Sequence, residues 1–411
     1  MTKRPFITNL FGVFVMIIIS WRCAEDPLET DLSHLNLSVD TLSISNIVGS
    51  SYWVSPNIGT NDRLYLGSKN GIDVPVSFIG ITDHFYWDYY FDSTVTFDSL
   101  HFMLFSNDSE LTVSSTPNLY FSPDSHFHET KSSYKDFSGF STASWTNLGQ
   151  PNISINTDTS GNFTGTVLTW DVLSLVETLT DTLDSTLVRS FAIDLANSDT
   201  NFIKLYSREA TSNGEKDPQI KLFFHQEIII DADSTYRDTL HASLYAYGDV
   251  SIINPGDIAN NPNRLGISNG LGLRSLFTIS FDSLTLPEGS LIRKANLVLP
   301  FDTTTSPESF AIIFEPIEEI IDSLITDSTN AIFDADPYSG VGYPYRIART
   351  MDEASYTISI KSFLQNITLG NVSNIGFKIS SYEKNDPFEF LEFYLDDETL
   401  SPKLEIIYVK N

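Results

Sequence analysis

Apolar and polar residues alternate along much of this chain. In residues 191–195 and 277–281, large apolar side chains occupy every second position, with small or polar ones between them. A period of two places the apolar set on one face of a β-strand. Asn70-Gly71 and Asn269-Gly270 supply turn residues between such runs. The pattern predicts an all-β chain of many short strands, with short helices near residues 174–179 and 361–366.

The same sequence blocks occur twice in the same order, which indicates an internal repeat. The paired blocks are residues 63–67 with 264–267, 100–104 with 295–299, 170–176 with 358–364, 191–195 with 375–379, and 220–224 with 404–408. Many short strands in each copy are typical of a two-sheet jelly roll. We predict two tandem jelly-roll β-sandwich domains after an N-terminal signal segment, with domain 1 at 39–226 and domain 2 at 227–411.

The N-terminus has the pattern of an export signal. Lys3 and Arg4 precede a mostly apolar stretch, residues 6–19, which is too short to span a bilayer comfortably. Cys23 follows directly and resembles the lipidated cysteine of bacterial lipoprotein signals, although Arg22 stands where those signals have a small residue. We expect residues 1–23 to be a signal peptide with lipidation at Cys23, and 24–38 to be a tether. Simple secretion and an uncleaved anchor remain as alternatives.

Composition narrows the class of protein. The 53 acidic residues outnumber the 24 lysines and arginines, which gives a net charge of -29. Such a field repels phosphate backbones, so we expect no nucleic-acid partner. A hydrophobic fraction of 41% argues against disorder. With Cys23 as the single cysteine, no disulfide forms within the chain.

Several blocks of the repeat resemble a known family. The first copy carries Arg63-Leu64, Trp170-Asp171-Val172, Ser207-Arg208-Glu209 and Asp217-Pro218 in order. This order resembles the secreted β-sandwich modules called DNRLRE domains, which are grouped with some carbohydrate-binding modules. The second copy departs at the closing motif, where Leu395-Asp396-Asp397 stands. The resemblance implies a jelly roll with an extracellular role, either polysaccharide binding or structural. It also suggests that Arg208 and Glu209 form a structural ion pair, with a ligand clamp as the alternative.

One dense aromatic run stands out within residues 84–91. Its Tyr86, Trp87, Tyr89 and Tyr90 could form a ligand platform, because aromatic rings stack on the apolar faces of sugars. The alternative is that these rings cap a sheet or fill a seam between domains. Only the first copy carries the run, so we expect any binding function to lie there.

Metal binding has weaker candidates. Asp334 and Asp336 space carboxylates closely in a predicted loop, and jelly-roll modules often hold structural calcium. The alternative is a solvated turn. The sequence lacks the motifs of common hydrolases and phosphate loops. We expect no cofactor, apart from this candidate calcium.

The sequence thus predicts a non-catalytic, exported cell-surface protein, either structural and adhesive or glycan-binding. Its expected partners are polysaccharide or another surface protein, with the membrane reached only through a lipid anchor. The expected location is the outer membrane or cell surface, or otherwise the secreted fraction. The alternatives are a polysaccharide lyase or glycosidase, and an accessory subunit of an outer-membrane uptake or secretion system.

Overall fold

The computed structural model of the chain describes residues 38–82, 87–88, 90, 95–108, 111, 116–137, 139–195, 201–211, 214–231, 234–254, 263–270, 272–280, 286, 290–324, 332–382, 386–397 and 399–410. The predicted signal peptide with Cys23 lies outside the described residues, and so does the predicted tether up to residue 37.

The described residues form mainly β-strands, which confirms the all-β class. The strands before and within the first repeat are β1 (Ser38–Ile44), β2 (Ile47–Val54), β3 (Arg63–Lys69), β4 (Ile72–Ile81), β5 (Val95–Ser106), β6 (Pro117–Ser122), β7 (Thr146–Gly149), β8 (Asn152–Thr157), β9 (Phe163–Asp171), β10 (Ser190–Leu195), β11 (Phe202–Tyr206) and β12 (Gln219–Asp231). The later strands are β13 (Ser234–Asn254), β14 (Arg264–Ser268), β15 (Leu273–Ile279), β16 (Leu291–Pro300), β17 (Ala311–Ile320), β18 (Ile332–Phe333), β19 (Tyr338–Gly340), β20 (Ile347–Thr350), β21 (Ser355–Ser359), β22 (Phe377–Ser381), β23 (Phe390–Tyr394) and β24 (Lys403–Lys410).

Short helices lie where the sequence predicts them. A 3-10 turn, Leu173–Leu175, continues into α1 (Val176–Leu179) after β9. The equivalent α2 (Lys361–Thr368) follows β21. Among the described residues, no helix has both the length and the apolar character needed to cross a membrane.

Strands β3–β12, which we call the first repeat, form two layers with the help of β13. One layer has the order β8-β9-β5-β12-β13, and the other has the order β13-β4-β10-β6-β7. The long β13 belongs to both, because its first half pairs with β12 and its second half with β4. Apolar side chains from both layers form one core, in which the rings of Phe102 (β5) and Phe191 (β10) lie 4.6 Å apart.

Strands β14–β24, the second repeat, have the same pairing order. The layers are β21-β16-β24-β1 and β2-β15-β22-β17, so β1 and β2 take the two places that β13 takes in the first repeat. Strand pairing therefore crosses the predicted domain ranges. Residues 38–54 complete the second repeat, and the predicted boundary near residue 227 falls inside the β12–β13 hairpin.

The two repeats touch through a third apolar cluster. Its buried members are Trp53, Ile58, Tyr65, Ile72, Val74, Ile253, Leu273 and Phe388. Polar contacts surround this cluster: Lys204 Nζ lies 2.6 Å from Asp386 Oδ1, and the backbone amide of Asp386 donates to the Tyr65 hydroxyl. This combination of apolar packing and ion pairing joins the repeats directly.

Candidate functional site

The aromatic run at residues 84–91 contributes side chains to the core of the first repeat. Trp87 is 0% exposed, and its indole nitrogen donates a 3.1 Å hydrogen bond to the Thr82 carbonyl. The Arg189 guanidinium lies 4.9 Å from the centre of the Trp87 ring. Tyr90 packs edge-on against Phe224. Trp87 therefore offers no face for stacking on a sugar, and both rings pack in or against the core of the first repeat. Tyr86 and Tyr89 lie outside the described residues.

The two candidate calcium ligands both face cationic side chains. Asp334 is 84% exposed and lies 2.6 Å from Lys135. Asp336 binds Arg274 and Lys378 and also accepts a hydrogen bond from the Tyr52 hydroxyl. Burial alone would raise the pKa of Asp336, but the charges of Arg274 and Lys378, together with hydrogen bonds from Lys378 and the Tyr338 amide, lower it. Among the described residues, no cluster of His, Cys, Asp and Glu is arranged to hold a metal ion.

Arg208 is part of a larger network than the predicted ion pair. Its Nε lies 4.0 Å from Glu209 Oε1, whereas its Nη1 lies 3.4 Å from Glu129 and also donates to the Tyr247 carbonyl. The backbone amide of Arg208 donates to Asp249, which is buried. Burial raises the pKa of Asp249 well above its usual range. Glu129 and Asp249 are far from the motif in sequence, so the motif alone gave no sign of them.

A cleft on the outer face of the first repeat brings together residues that the sequence analysis did not select. Its volume is about 450 Å³. The described lining residues are Pro75, Val76, Tyr134, Phe137, Gly139, Phe140, Ser141, Thr142, Asp194, Ile252 and Asn254. They come from β4, β10 and β13 below, and from the long connection between β6 and β7 above.

The cleft exists because this sheet is apolar on both faces. Val76, Phe78 and Ile252 point away from the main core, and the β6–β7 connection covers them with its own aromatic rings. The Phe137 ring lies 4.5 Å from Phe78, and the Phe140 ring lies 5.6 Å from Trp145. The almost continuous apolar run from residue 76 to 81 was the available signal, because two-sided burial removes the usual alternation.

The rings of the cleft are held in place but remain accessible. Tyr134, Phe137 and Phe140 are partly buried, so each presents one surface to the cleft while another packs on the sheet. Edge-to-face and tilted contacts of this kind restrict ring rotation. The aromatic wall is therefore formed before any ligand arrives.

A single carboxylate defines the charge of the cleft, as far as its described lining shows. Asp194 Oδ1 accepts a 3.2 Å hydrogen bond from the Asn118 amide. Burial raises the pKa of Asp194, while bonds from Asn118 and Tyr120 oppose part of that change. No lysine or arginine occurs among the described lining residues. The arrangement suits an uncharged ligand that has both apolar faces and hydroxyl groups.

Comparisons of the chain with protein-family models, curated proteins and solved structures gave no match.

Proposed function

We propose that the protein is a non-catalytic, exported surface protein that binds neutral polysaccharide in the cleft of its first repeat. The observation that carries the proposal is the composition of the cleft wall. Three partly buried rings, those of Tyr134, Phe137 and Phe140, lie beside the carboxylate of Asp194 and the amide of Asn254. Sugars present flat C–H faces that pack on such rings, and hydroxyl groups that bond to such polar groups.

The size and charge of the cleft support a neutral ligand. A volume of about 450 Å³ lies within the range of small-molecule sites, which is roughly 300–1,000 Å³. The net charge of -29 and the carboxylate of Asp194 both repel acidic polymers. Neutral hexose polymers therefore fit better than uronic-acid or sulfated ones.

The same lining favours binding over hydrolysis. Most glycosidases place two carboxyl groups about 5–9.5 Å apart across the scissile bond. The described lining of the cleft offers Asp194 alone. The proposal therefore assigns Asp194 to hydroxyl recognition, with no chemical step.

Binding is tested with the full chain on immobilised neutral and acidic polysaccharides, followed by titration calorimetry on the best ligand. Tyr134→Ala removes a ring from the wall, and Asp194→Asn keeps the shape while removing the charge. We expect Tyr134→Ala to weaken binding about tenfold, equivalent to ~1.4 kcal/mol. Tyr343→Ala is the matched control, because this tyrosine is 94% exposed and does not line the cleft.

The outcome distinguishes a site from nonspecific adhesion. Equal affinity of Tyr134→Ala and the wild type, at unchanged melting temperature, contradicts the assignment of the cleft. Preference for acidic over neutral polymers contradicts the charge argument.

The export part of the proposal rests on the N-terminal sequence and has its own test. The expected lipid attachment is at Cys23, and Cys23→Ala should move the protein from the membrane fraction to the soluble fraction of the producing cell. Mass spectrometry of the mature N-terminus identifies the acyl groups directly. An unmodified Cys23 in a membrane-bound protein contradicts lipidation and favours an uncleaved anchor.

A further inference from the structure

Each repeat is completed by a segment from outside it, and the two segments occupy equivalent positions in their repeats. In the first repeat, β13 pairs Leu244 with Ile220 of β12, and Ser251 with Ser77 of β4. In the second repeat, β1 pairs Ile44 with Leu404 of β24, and β2 pairs Ser51 with Ser275 of β15. The equivalent positions of β13 and of β1 and β2, Leu244 with Ile44 and Ser251 with Ser51, differ by 200 residues in both cases. We call residues 38–54 and 234–254 the first and second completing segments.

Hydrogen bonds between facing serines confirm this equivalence at atomic detail. In the first repeat, Ser77 Oγ donates to Ser251 Oγ at 2.8 Å, and Ser251 Oγ accepts from the Tyr65 amide at 2.9 Å. In the second repeat, Ser51 Oγ lies 3.1 Å from Ser275 Oγ and accepts from the Gly266 amide at 2.7 Å. The same three-residue hydrogen-bond pattern thus fastens each completing segment to its repeat.

Each completing segment precedes, in sequence, a repeat other than the one it completes or follows the one it completes. The first completing segment comes before the first repeat in sequence, yet it fills the gap between β15 and β24, which we call the groove of the second repeat. The second completing segment lies between the repeats and fills the groove of the first. Strand β1 pairs antiparallel with β24, and Lys410 of β24 lies 2.7 Å from Asp40 of β1, so the first and last described strands are neighbours.

The two segments also differ in how they are held. The second completing segment continues directly from β12 as a hairpin, so it is tied to its own repeat. The first reaches its groove from the opposite end of the sequence, and its downstream connection, residues 55–62, enters the first repeat rather than the second. Its groove therefore depends on a strand that the second repeat itself does not contain.

We propose that the groove of the second repeat is a donor-strand site, and that residues 38–54 of a second copy of this chain can fill it. All strand-pairing contacts would be the same as within one chain, and only the connection at residues 55–62 would differ. A strand added to an open sheet gains both main-chain hydrogen bonds and side-chain burial. Each chain would give its segment to one neighbour and receive one from another, which is a head-to-tail arrangement that extends unless it closes.

Concentration decides between the two arrangements. A short connection holds the chain's own segment at an effective concentration of the order of millimolar. Dilute chains therefore close on themselves. Chains refolded at high concentration, or crowded on one surface, exchange segments. This inference concerns a different part of the molecule from the cleft and does not depend on polysaccharide binding.

The test uses two full-length chains, both carrying Cys23→Ala, one with Ser51→Cys and the other with Ser275→Cys. Facing Cβ atoms of a cross-strand pair permit a disulfide, and these two serines already touch. The chains are mixed, refolded together over a range of concentrations and oxidised. We expect a disulfide-linked heterodimer whose yield rises with concentration. A matched mixture of Ser51→Cys with Ser77→Cys chains places the second thiol in the groove of the first repeat and should give none.

A single chain with both Ser51→Cys and Ser275→Cys shows whether the closed form exists, and it should cross-link within itself when refolded dilute. Cross-linking within that chain, but never between the mixed chains at any concentration, overturns the exchange. Should the serine variants not fold, the surface pair Val48→Cys and Thr278→Cys repeats the experiment, since these positions face each other in the same register. Equal heterodimer yields from the Ser275→Cys and Ser77→Cys mixtures also overturn it.

Discussion

Deletion of the first completing segment should unfold the second repeat and leave the first repeat folded. A chain that begins at residue 55 lacks β1 and β2 but keeps every strand of the first repeat, together with β13, which completes it. In the second repeat, β15 and β24 then each lose the neighbour on one side. The groove between them opens to water, and buried apolar side chains become exposed.

The size of the effect follows from the side chains that are lost. Ile44, Ile47, Tyr52, Trp53 and Val54 are all at least nine-tenths buried. Full burial of a large apolar side chain stabilises a fold by about 1.5–3 kcal/mol, so the segment contributes on the order of 10 kcal/mol. A whole domain is usually stable by only about 5–15 kcal/mol. Loss of the segment therefore removes most or all of the stability of the second repeat.

Tryptophan fluorescence reports selectively on the unfolding of the first repeat. In a chain beginning at residue 55, the remaining tryptophans are Trp87, Trp145 and Trp170, and all three lie in the first repeat. Urea unfolding followed by fluorescence should keep a cooperative transition, while the far-UV circular dichroism signal of native strands falls. Limited proteolysis should remove the second repeat and leave a fragment that ends near residue 254. A synthetic peptide of residues 38–54 should restore the lost signal.

A control separates loss of the groove contacts from a general effect at the N-terminus. Val48 and Val39 belong to the same strands but are 66% and 69% exposed, so replacing both with serine should leave unfolding unchanged. If the shortened chain keeps its full circular dichroism signal and resists protease beyond residue 254, the segment is not integral to the second repeat and the reasoning fails.

Three further predictions concern charged groups. Asp336→Ala leaves Lys378, whose side chain is 9% exposed, without one of its partners, and should lower the free energy of unfolding in urea by about 3–5 kcal/mol. Asp334→Ala removes an exposed ion pair and should lower it by about 0–1 kcal/mol. Equal losses would refute the argument that burial makes the Asp336 contacts stronger. Excess calcium chloride should leave the melting temperature unchanged, because both acids are bound by cations, and a clear rise would point to a metal site. Asp249→Asn should stabilise the protein near pH 8 but not near pH 4. Because burial raises the folded-state pKa of Asp249, its favourable contribution is present below the unfolded-state pKa and is lost as pH rises through the folded-state pKa, at about 1.4 kcal/mol per pH unit between the two; a constant gain at all pH values would contradict this.

The sequence by itself determined the local elements of this protein. Alternation at period two identified strands such as β10 and β15, and the repeated blocks aligned Phe102 with Leu297 and Trp170 with Ile358, which occupy the same places in the two repeats. The short helices after β9 and β21 also lie where the pattern put them. These features depend on neighbours within a few residues or on self-similarity, and both are readable in one dimension.

Tertiary structure alone decided which partners these elements take. Nothing in residues 38–54 reveals that they complete the second repeat, because a strand with one apolar face can pair with either of two similar sheets. Trp87 looked like part of an exposed platform, yet it is buried, since an aromatic run has the same composition in a core and on a surface. The cationic side chains that bind Asp336 and the aromatic rings around Asp194 come from strands and loops far apart in sequence. Such arrangements follow from packing between residues far apart in sequence, and a local sequence pattern does not contain that information.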